Sequence, residues 1–349
     1  MAYSVVVIAG DGIGPEVVQA ACRVVDAAGV DVEWVPAWLG QQAVERYGDP
    51  FPAATRDLIR THRVVLKGPV ATPIGRQGFR SAVVALRRAF DLYANVRPIR
   101  SLPGVPARYA DIDLVIVREN TEGFYSGPEQ MVSPGVVESV RTVTERAATR
   151  IARYAFTYAT RHGRQRVTAV HKANIFKLGD GLFLECCRRV ARDFPEIAYE
   201  EIIVDNACLQ MVLNPYRFDV LVMENLYGDL MSDLAAGLVG GLGVVPSANI
   251  GDDVALFEAV HGTAPDIAGR NRANPTAMIL SAVMMLRYLG ETAAADRIER
   301  ALLRVLADCR AVTPDLGGTA TTTEMTDAVI RALQHETGAI SDCEWQISK

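Results

Sequence analysis

The chain has 349 residues, of which 50% are hydrophobic and 22% charged, and its formal net charge is −5. This length and composition are typical of a globular protein with a large core in two domains or lobes, and they exclude a disordered chain. The acidic balance contains no block of like charges. It therefore favours neither a nucleic acid nor a membrane surface as a partner.

The first residues contain neither a basic segment nor a cleavage site, and the apolar run at residues 3–8 is too short to span a bilayer. These features predict a cytoplasmic protein. The six cysteines include no C-x-x-C pair. Their sparse distribution predicts free thiols in a reducing compartment and no zinc site.

The first predicted element is a strand at residues 5–9, which leads through Gly10-Asp11-Gly12-Ile13-Gly14 into a helix that ends near residue 28. This turn is similar to a dinucleotide-binding fingerprint. However, Pro15 occupies the position of the third glycine, and no clear acidic residue ends the next strand. The sequence favours the alternative, a tight strand-to-helix turn with Pro15 in the first helical turn.

Short apolar strands then alternate with helices, a pattern typical of an α/β sheet. Residues 93–106 contain several prolines and are predicted to form a loop that crosses between lobes, and the tail from about Gly338 is predicted to be loose. The remaining strands are predicted at residues 32–35, 64–66, 113–117, 167–170, 202–204 and 218–223, and the helices at residues 53–60, 81–92, 144–161, 180–193 and most of 275–335.

The most informative stretch begins at Glu224, directly after the strand at residues 218–223. It is compatible with a helix, so Asp229 and Asp233 are i, i+4 neighbours on one face, where two like charges repel unless a cation lies between them. Mg²⁺ or Mn²⁺ prefers such oxygen ligands. On spacing alone, a solvated acidic face is the alternative.

Arginines collect in the same acidic chain. Arg80, Arg87, Arg88 and Arg97 lie close together, and Arg118 follows at a predicted strand end. Arginine is suited to bidentate recognition of carboxylates, and functional residues gather at strand ends. Together with a divalent cation, these arginines predict a small polyanionic substrate. The alternative is that the arginines on the helix are solvent-exposed surface residues without a ligand.

Six motifs distributed over residues 4–335 are specific enough to indicate a family. They are Lys67-Gly68-Pro69, residues 91–98, residues 118–123, residues 171–174, residues 225–229 and the loop at 261–269. They resemble those of the β-decarboxylating dehydrogenases, which include isocitrate, homoisocitrate and 3-isopropylmalate dehydrogenases. The resemblance implies their two-lobed α/β fold, which is not a Rossmann fold. Residues 1–102 and 254–349 would form a large cofactor-binding lobe, and residues 103–253 a small lobe with the metal ligands and dimer interface.

The resemblance also implies roles for individual residues. Lys172 would remove the hydroxyl proton of the substrate, and Tyr125 would protonate the carbon that loses CO₂. Lys172 and Asp205 would reach the site from the neighbouring subunit, so a homodimer would share its active sites. The implied metal ligands for Mg²⁺ or Mn²⁺ are Asp205, Asp229 and Asp233. The implied substrate-binding residues are Arg80, Ser81, Val83, Val84, Arg87, Arg97, Arg118 and Asn174. The implied cofactor-binding residues are Thr72, His261, Gly262, Thr263, Ala264, Asp266, Ile267 and Asn274.

The loop at 261–269 indicates the cofactor. Asp266 can accept hydrogen bonds from an adenosine ribose and would repel a 2′-phosphate. Relatives that use NADP carry Lys and Tyr where this chain has Asp266 and Ile267. NAD is therefore the predicted cofactor, and an exposed loop aspartate without such a role is the alternative.

The start of the helix at residue 81 would bind the third substituent of the substrate. Arg80 and Ser81 favour an anion, whereas Val83 and Val84 stand where isopropylmalate enzymes have two leucines. An arginine unpaired against an alkyl group costs more than an anion beside valines. The predicted substrate is a 3-substituted malate with an acidic arm, first isocitrate. Homoisocitrate, a phosphonate such as 3-(phosphonomethyl)malate and 3-isopropylmalate are the alternatives.

Two further features bear on these alternatives. Residues 203–206 and 313–318 are most similar to homoisocitrate and NAD-isocitrate enzymes, and Phe124 beside Tyr125 departs from the family pattern. A non-catalytic regulatory subunit is the competing class of protein. The retained Tyr125, Lys172 and three aspartates disfavour it, because such subunits tend to lose catalytic residues.

Overall fold

The structure, a computed structural model, describes residues 2–75 and 78–344. Strands and helices alternate along most of the chain. The strands are β1 Tyr3–Ile8, β2 Val32–Ala37, β3 Val64–Lys67, β4 Ala94–Arg100, β5 Asp113–Glu119, β6 Glu129–Ser133, β7 Val136–Ser139, β8 Arg166–His171, β9 Ala198–Ile203, β10 Val220–Met223, β11 Pro246–Ile250 and β12 Ala255–Ala259. The α-helices are α1 Gly14–Ala27, α2 Gln41–Tyr47, α3 Ala53–His62, α4 Ala82–Ala89, α5 Glu145–Arg161, α6 Gly179–Ala191, α7 Val204–Leu213, α8 Asn225–Leu238, α9 Thr276–Tyr288, α10 Thr292–Asp308 and α11 Thr322–Glu344.

Within the described residues, ten strands form one sheet in the order β2-β1-β3-β12-β11-β4-β5-β10-β8-β9. β11 is antiparallel to both β12 and β4, and β4 is antiparallel to β5, whereas the other neighbours are parallel. Strands such as β3 and β10 are buried throughout, as expected for parallel strands covered by helices. The predicted α/β class is therefore confirmed.

The sheet continues without a break through both predicted lobes, since β4 pairs with β5 on one side and β11 on the other. The lobe boundaries at residues 102 and 253 therefore stay a prediction. No helix in the described part of the chain is long and apolar enough to cross a membrane.

Three predicted elements differ from the structure. Residues 94–100 form β4 in the middle of the sheet rather than a crossover loop, because the polar side chains that interrupt its apolar pattern are buried in a hydrogen-bonded network. Asp205 lies in the first turn of α7, not at a strand tip. Residues 338–344 continue α11 instead of forming a loose tail.

The glycine-rich turn after β1 packs against the loop at 261–269. Gly10 and Gly12 have φ angles of 77° and 60°, and a Cβ at Gly12 would lie 2.0 Å from the Thr263 carbonyl oxygen. That carbonyl accepts a hydrogen bond of 2.9 Å from the Ile13 backbone N–H. Only glycine permits this approach at positive φ. The interpretation as a tight turn, rather than a phosphate cradle, is confirmed.

Alternation along β4 separates two faces of the sheet. Asn95 and Arg97 join a buried polar network, whereas Val96 and Pro98 line an apolar groove on the opposite face. The same alternation on β12 places Glu258 in the polar network and Phe257 on the groove side. The polar residues of the central strands therefore converge on one face, where the candidate site lies.

Candidate active site

Asp229 lies at the centre of the candidate site, in the second turn of α8. The Arg118 guanidinium on β5 donates to its Oδ1, and the Tyr125 hydroxyl donates to its Oδ2 at 2.5 Å. Burial raises the pKa of Asp229, but the charge of Arg118 and the Tyr125 hydrogen bond outweigh it, so the pKa lies below its ordinary value. Asp229 is therefore a carboxylate, and three predicted site residues meet at its oxygens.

Gly228 explains how Arg118 reaches this carboxylate. A Cβ at Gly228 would lie 2.4 Å from Cγ of Arg118, so only a glycine lets the arginine stem cross α8. The guanidinium is fixed by Asn225, whose Oδ1 accepts from Nε at 3.1 Å and from Nη2 at 2.7 Å. Burial and the neighbouring Arg97 lower the pKa of Arg118. The motif at residues 225–229 thus positions the buried Arg118.

A cation does lie between the two aspartates of α8, and in this chain it is Arg97. Its guanidinium is 3.6 Å from Asp229 and 3.6 Å from Asp233. Nε donates to Asn95 at 2.8 Å, and Nη1 donates to the Ser232 hydroxyl. The predicted i, i+4 helical geometry of the aspartates is confirmed, and their repulsion is offset without a metal ion.

The buried network of Asn95 and Arg97 continues through Asn249 and also holds Arg87, and sequence reasoning missed the residue that joins them, Glu258. Glu258 on β12 accepts from Arg87 at 3.0 Å and from Lys67 Nζ at 2.6 Å, and the Asn249 amide donates to it at 2.7 Å. Burial alone would raise the pKa of Glu258, but the two cations hold it well below its ordinary value. A charged residue inside the apolar run of residues 254–260 was the available indication.

The start of α4 brings predicted substrate and cofactor residues together. The Ser81 hydroxyl caps the helix by accepting from the Val84 backbone N–H at 3.4 Å, and the Thr72 hydroxyl lies 3.3 Å from it. Arg80 is exposed, and within the described residues its side chain makes no hydrogen bond or ion pair. Val83 and Val84 are half-buried, and Val83 packs partly on the core.

Lys172 and Asp205 lie together, apart from Asp229. The Lys172 ammonium donates to Asp205, whose side chain is 67% exposed, and Asn174 in the following loop is also exposed. In the described part of the chain, no group of three or more His, Cys, Asp or Glu residues could hold a metal ion. One chain therefore does not assemble the three predicted aspartate ligands.

The predicted cofactor loop follows β12. Asp266 is exposed, and Ala264 has a φ of 38°. His261 Nδ1–H donates to the Gly262 carbonyl at 3.0 Å, its Nε2 is buried with no partner among the described residues, and burial lowers its pKa. Asn274 is buried, with its amide N–H donating to Asp315 at 2.9 Å. Gly262, Thr263 and Ile267 complete this loop.

Residues 4–329 match the family described as isocitrate/isopropylmalate dehydrogenase. The chain belongs to this family. The crystal structure of isocitrate dehydrogenase from Methylococcus capsulatus superposes with a TM-score of 0.92 at 51% identity, over 95% of this chain and 99% of that chain. The predictions of the family, of its α/β fold and of an NAD-dependent dehydrogenase are confirmed.

Two relatives of this family member carry different substrate names. This chain is 55% identical over 321 residues to the mitochondrial isocitrate dehydrogenase [NAD] catalytic subunit 5 of Arabidopsis thaliana. The match covers 92% of this chain and 86% of the relative. The chain is 54% identical over 299 residues to the chloroplastic 3-isopropylmalate dehydrogenase of Solanum tuberosum, covering 85% and 84%. Overall identity therefore does not select the substrate.

The prediction of a cytoplasmic protein is wrong. It rested on the composition of the first residues, whereas the names of the Arabidopsis relative and of others of similar identity are those of mitochondrial proteins. The fold and site contain no information on compartment, because the same chemistry operates in any of them.

Proposed function

We propose that this chain catalyses the NAD- and Mg²⁺- or Mn²⁺-dependent oxidative decarboxylation of isocitrate to 2-oxoglutarate. The observation that carries the choice of isocitrate is the exposed Arg80, unpaired among the described residues, beside Ser81, whose hydroxyl lies 3.3 Å from that of Thr72. These groups would bind the acidic arm of the substrate, as an arginine fork and hydroxyl donors suit a carboxylate. Homoisocitrate, with a longer acidic arm, is the second candidate for the same reason.

Arg87, Arg97 and Arg118 would bind the carboxylates of the malate backbone. Arg97 and Arg118 are almost completely buried, and both already contact a carboxylate, that of Asp229. A substrate carboxylate would replace a partner of the same chemistry, so these buried guanidinium groups would remain paired. Their preorganisation around one point supports a site for a small polyanion.

The donor chemistry fits a hard divalent cation. Asp229 and Asp233 supply carboxylate oxygens one turn apart, Asp233 is 56% exposed, and Asp205 offers a third exposed carboxylate. Mg²⁺ or Mn²⁺ would be held by these three groups, with Asp205 supplied by the neighbouring subunit. When bound, the ion supplies Lewis-acid polarisation of substrate oxygens.

Tyr125 and Lys172 would move the protons. Burial and the bond to Asp229 raise the pKa of Tyr125, so the phenol keeps its proton at neutral pH and can donate it to the carbon that loses CO₂. Lys172 would accept the hydroxyl proton of a substrate bound in the neighbouring subunit. Its pairing with Asp205 suggests that both reach that site as a unit.

NAD would bind along the loop at 261–269, with its nicotinamide near Thr72 and its adenosine ribose at Asp266. Nε2 of His261 and the exposed carboxylate of Asp266 have no hydrogen-bond partner in the described part of the chain. Such groups would pair with the cofactor. NAD, when bound, accepts the hydride from the substrate.

A homodimer would complete the site. The hairpin β6–β7 exposes Met131, Val132, Val136 and Val137. A two-stranded hairpin with exposed apolar side chains is marginal by itself in water, so a second copy would cover it. A heteromeric assembly with a related subunit is the alternative.

Activity of the purified chain tests this function against the non-catalytic alternative. With isocitrate, NAD and Mg²⁺, we expect NADH and 2-oxoglutarate to form in equal amounts, and chelation of the metal to stop the reaction. Absence of turnover by the pure chain, with activity restored by a related subunit, would instead indicate a regulatory subunit.

A further inference from the structure

Arg141, between hairpin β6–β7 and α5, has no role in the proposed chemistry but contacts the segments around Tyr125, Lys172 and Asp229. Its side chain is only 10% exposed and bridges two carboxylates. Nε donates to Glu224 at 2.9 Å, and Nη2 donates to Asp180 at 2.5 Å. Since a buried guanidinium is costly unless it is paired, these bonds fix its position.

One of the two carboxylates begins a helix with proposed site residues, and the other holds the backbone of Lys172. Glu224 is the N-cap residue of α8, which carries Asp229 and Asp233. Asp180, completely buried at the start of α6, accepts the backbone N–H of Lys172 at 2.5 Å through its other oxygen. One guanidinium therefore connects the metal-ligand helix to the backbone of the proposed base.

Three aromatic rings surround the same guanidinium. Its carbon lies 4.9 Å from the ring centre of Phe176, 5.6 Å from Tyr227 and 5.9 Å from Phe124. Phe124 precedes Tyr125, Phe176 lies in the loop that follows Lys172, and Tyr227 is on α8. Cation–π contacts of this kind are attractive, because the positive charge faces the electron-rich ring. Through Phe124, the loop that carries Tyr125 also packs against the Arg141 guanidinium.

We propose that Arg141 is a positioning residue that fixes the Lys172 loop against the Tyr125–Asp229 site of the same chain. The proposal rests on the shared-site dimer proposed above. In that dimer Tyr125 serves its own site, whereas Lys172 serves that of the partner. One Arg141 therefore positions groups in two active sites, and its loss in one subunit impairs both.

A heterodimer with one intact site tests this. The first chain carries Tyr125→Phe and the second carries Lys172→Met. The site of the first chain then lacks both groups. The site of the second chain is intact, because it combines its own Tyr125 with Lys172 of the first chain. Arg141→Met is then added to either chain in turn. We expect each placement to lower kcat of the intact site by on the order of tenfold, since small displacements of catalytic groups have such effects. The KM for NAD should stay unchanged.

Two variants serve as comparisons. Arg153→Met removes an exposed arginine of α5 that pairs with Asp193, and it should leave kcat unchanged in either chain. Arg141→Lys keeps the charge but loses the fork that joins two carboxylates, so it should recover only part of the activity. If Arg141→Met does not fold, Phe176→Leu, which removes one ring at a half-exposed position, takes its place in both chains.

The outcomes separate the two proposals. A fall in kcat from only one placement, or an effect no larger than that of Arg153→Met, overturns the role of Arg141 and leaves the shared site intact. An inactive parent heterodimer beside an active wild-type dimer overturns the shared site, and the inference on Arg141 with it. An inactive wild-type chain refutes the proposed function itself.

Discussion

At the scale of single residues, the site depends on carboxylates held by arginines. Asp229 accepts from Arg118 and Tyr125 and lies 3.6 Å from Arg97, so its charge is balanced before any ligand binds. A substrate carboxylate would then pair with the arginines, and a metal ion would pair with Asp229. The buried arginines of this acidic protein therefore have a carboxylate partner both before and after the substrate binds.

Replacing Asp229 tests its role as a ligand. We expect Asp229→Asn to lower kcat by on the order of a hundredfold or more at saturating Mg²⁺, because it removes a charged ligand and leaves only one oxygen to accept from both Arg118 and Tyr125. Asp253→Asn, in an exposed loop, is the matched control. Near-normal turnover of Asp229→Asn in steady-state assays would contradict the assignment.

Asp266 is the residue on which the choice of cofactor depends. Asp266→Lys should lower the ratio of kcat/KM for NAD over NADP by about tenfold or more, equivalent to ~1.4 kcal/mol, because a lysine attracts the 2′-phosphate that the aspartate repels. Asp253→Lys makes the same charge change away from the loop. A ratio equal to that of the control would remove Asp266 from the ribose site.

At the scale of elements, α8 organises the site through its contact with β5. Gly228 admits the Arg118 stem, whereas Gly237 in the same helix has open space around its Cα. Gly228→Ala should reduce both the melting temperature and the affinity for substrate. Gly237→Ala should stabilise the fold by up to about 1 kcal/mol, as expected for a helical glycine. Equal melting temperatures for the two variants would contradict the close approach.

Glu224 at the start of α8 should make stability depend on pH. Burial raises its pKa to about 7, although Arg141 opposes this, against about 4.3 in the unfolded chain. The folded state therefore binds the extra proton, and the stability contributed by Glu224 falls as pH rises from roughly 5 to 7.

We expect Glu224→Gln to show a smaller drop in melting temperature between pH 5 and pH 8 than the wild type, because the titrating group is gone. Glu45→Gln, at an exposed position of α2, is the control for loss of one carboxylate. A pH dependence identical to that of the control would exclude Glu224 as its source.

At the scale of the whole molecule, the exposed hairpin β6–β7 predicts assembly. Met131 and Val137 face each other across its strands and are about half exposed. Replacing both by Asp should give monomers in light scattering and abolish activity, since Lys172 and Asp205 would no longer reach a partner site. Tyr47→Asp, an exposed apolar residue on α2, should leave the dimer intact. An active monomer would contradict the shared site.

Periodicity and the six motifs predict most of the strands, the helices and the residues around Asp229. They do not predict β4, because its buried polar residues form a network with β11 and β12 that only the folded sheet brings together. Arg141 and Glu258 were missed for the same reason: their oppositely charged partners lie at least 39 residues away in the chain. Only the fold shows such pairings.

The most direct test of the central claim compares kcat/KM for isocitrate, homoisocitrate, 3-isopropylmalate and 3-(phosphonomethyl)malate, with NAD and Mg²⁺ held constant. Binding of an acidic arm by Arg80, Ser81 and Thr72 predicts that isocitrate is preferred and that 3-isopropylmalate is the poorest substrate. A preference for 3-isopropylmalate would contradict this account and assign the choice of substrate to Val83 and Val84.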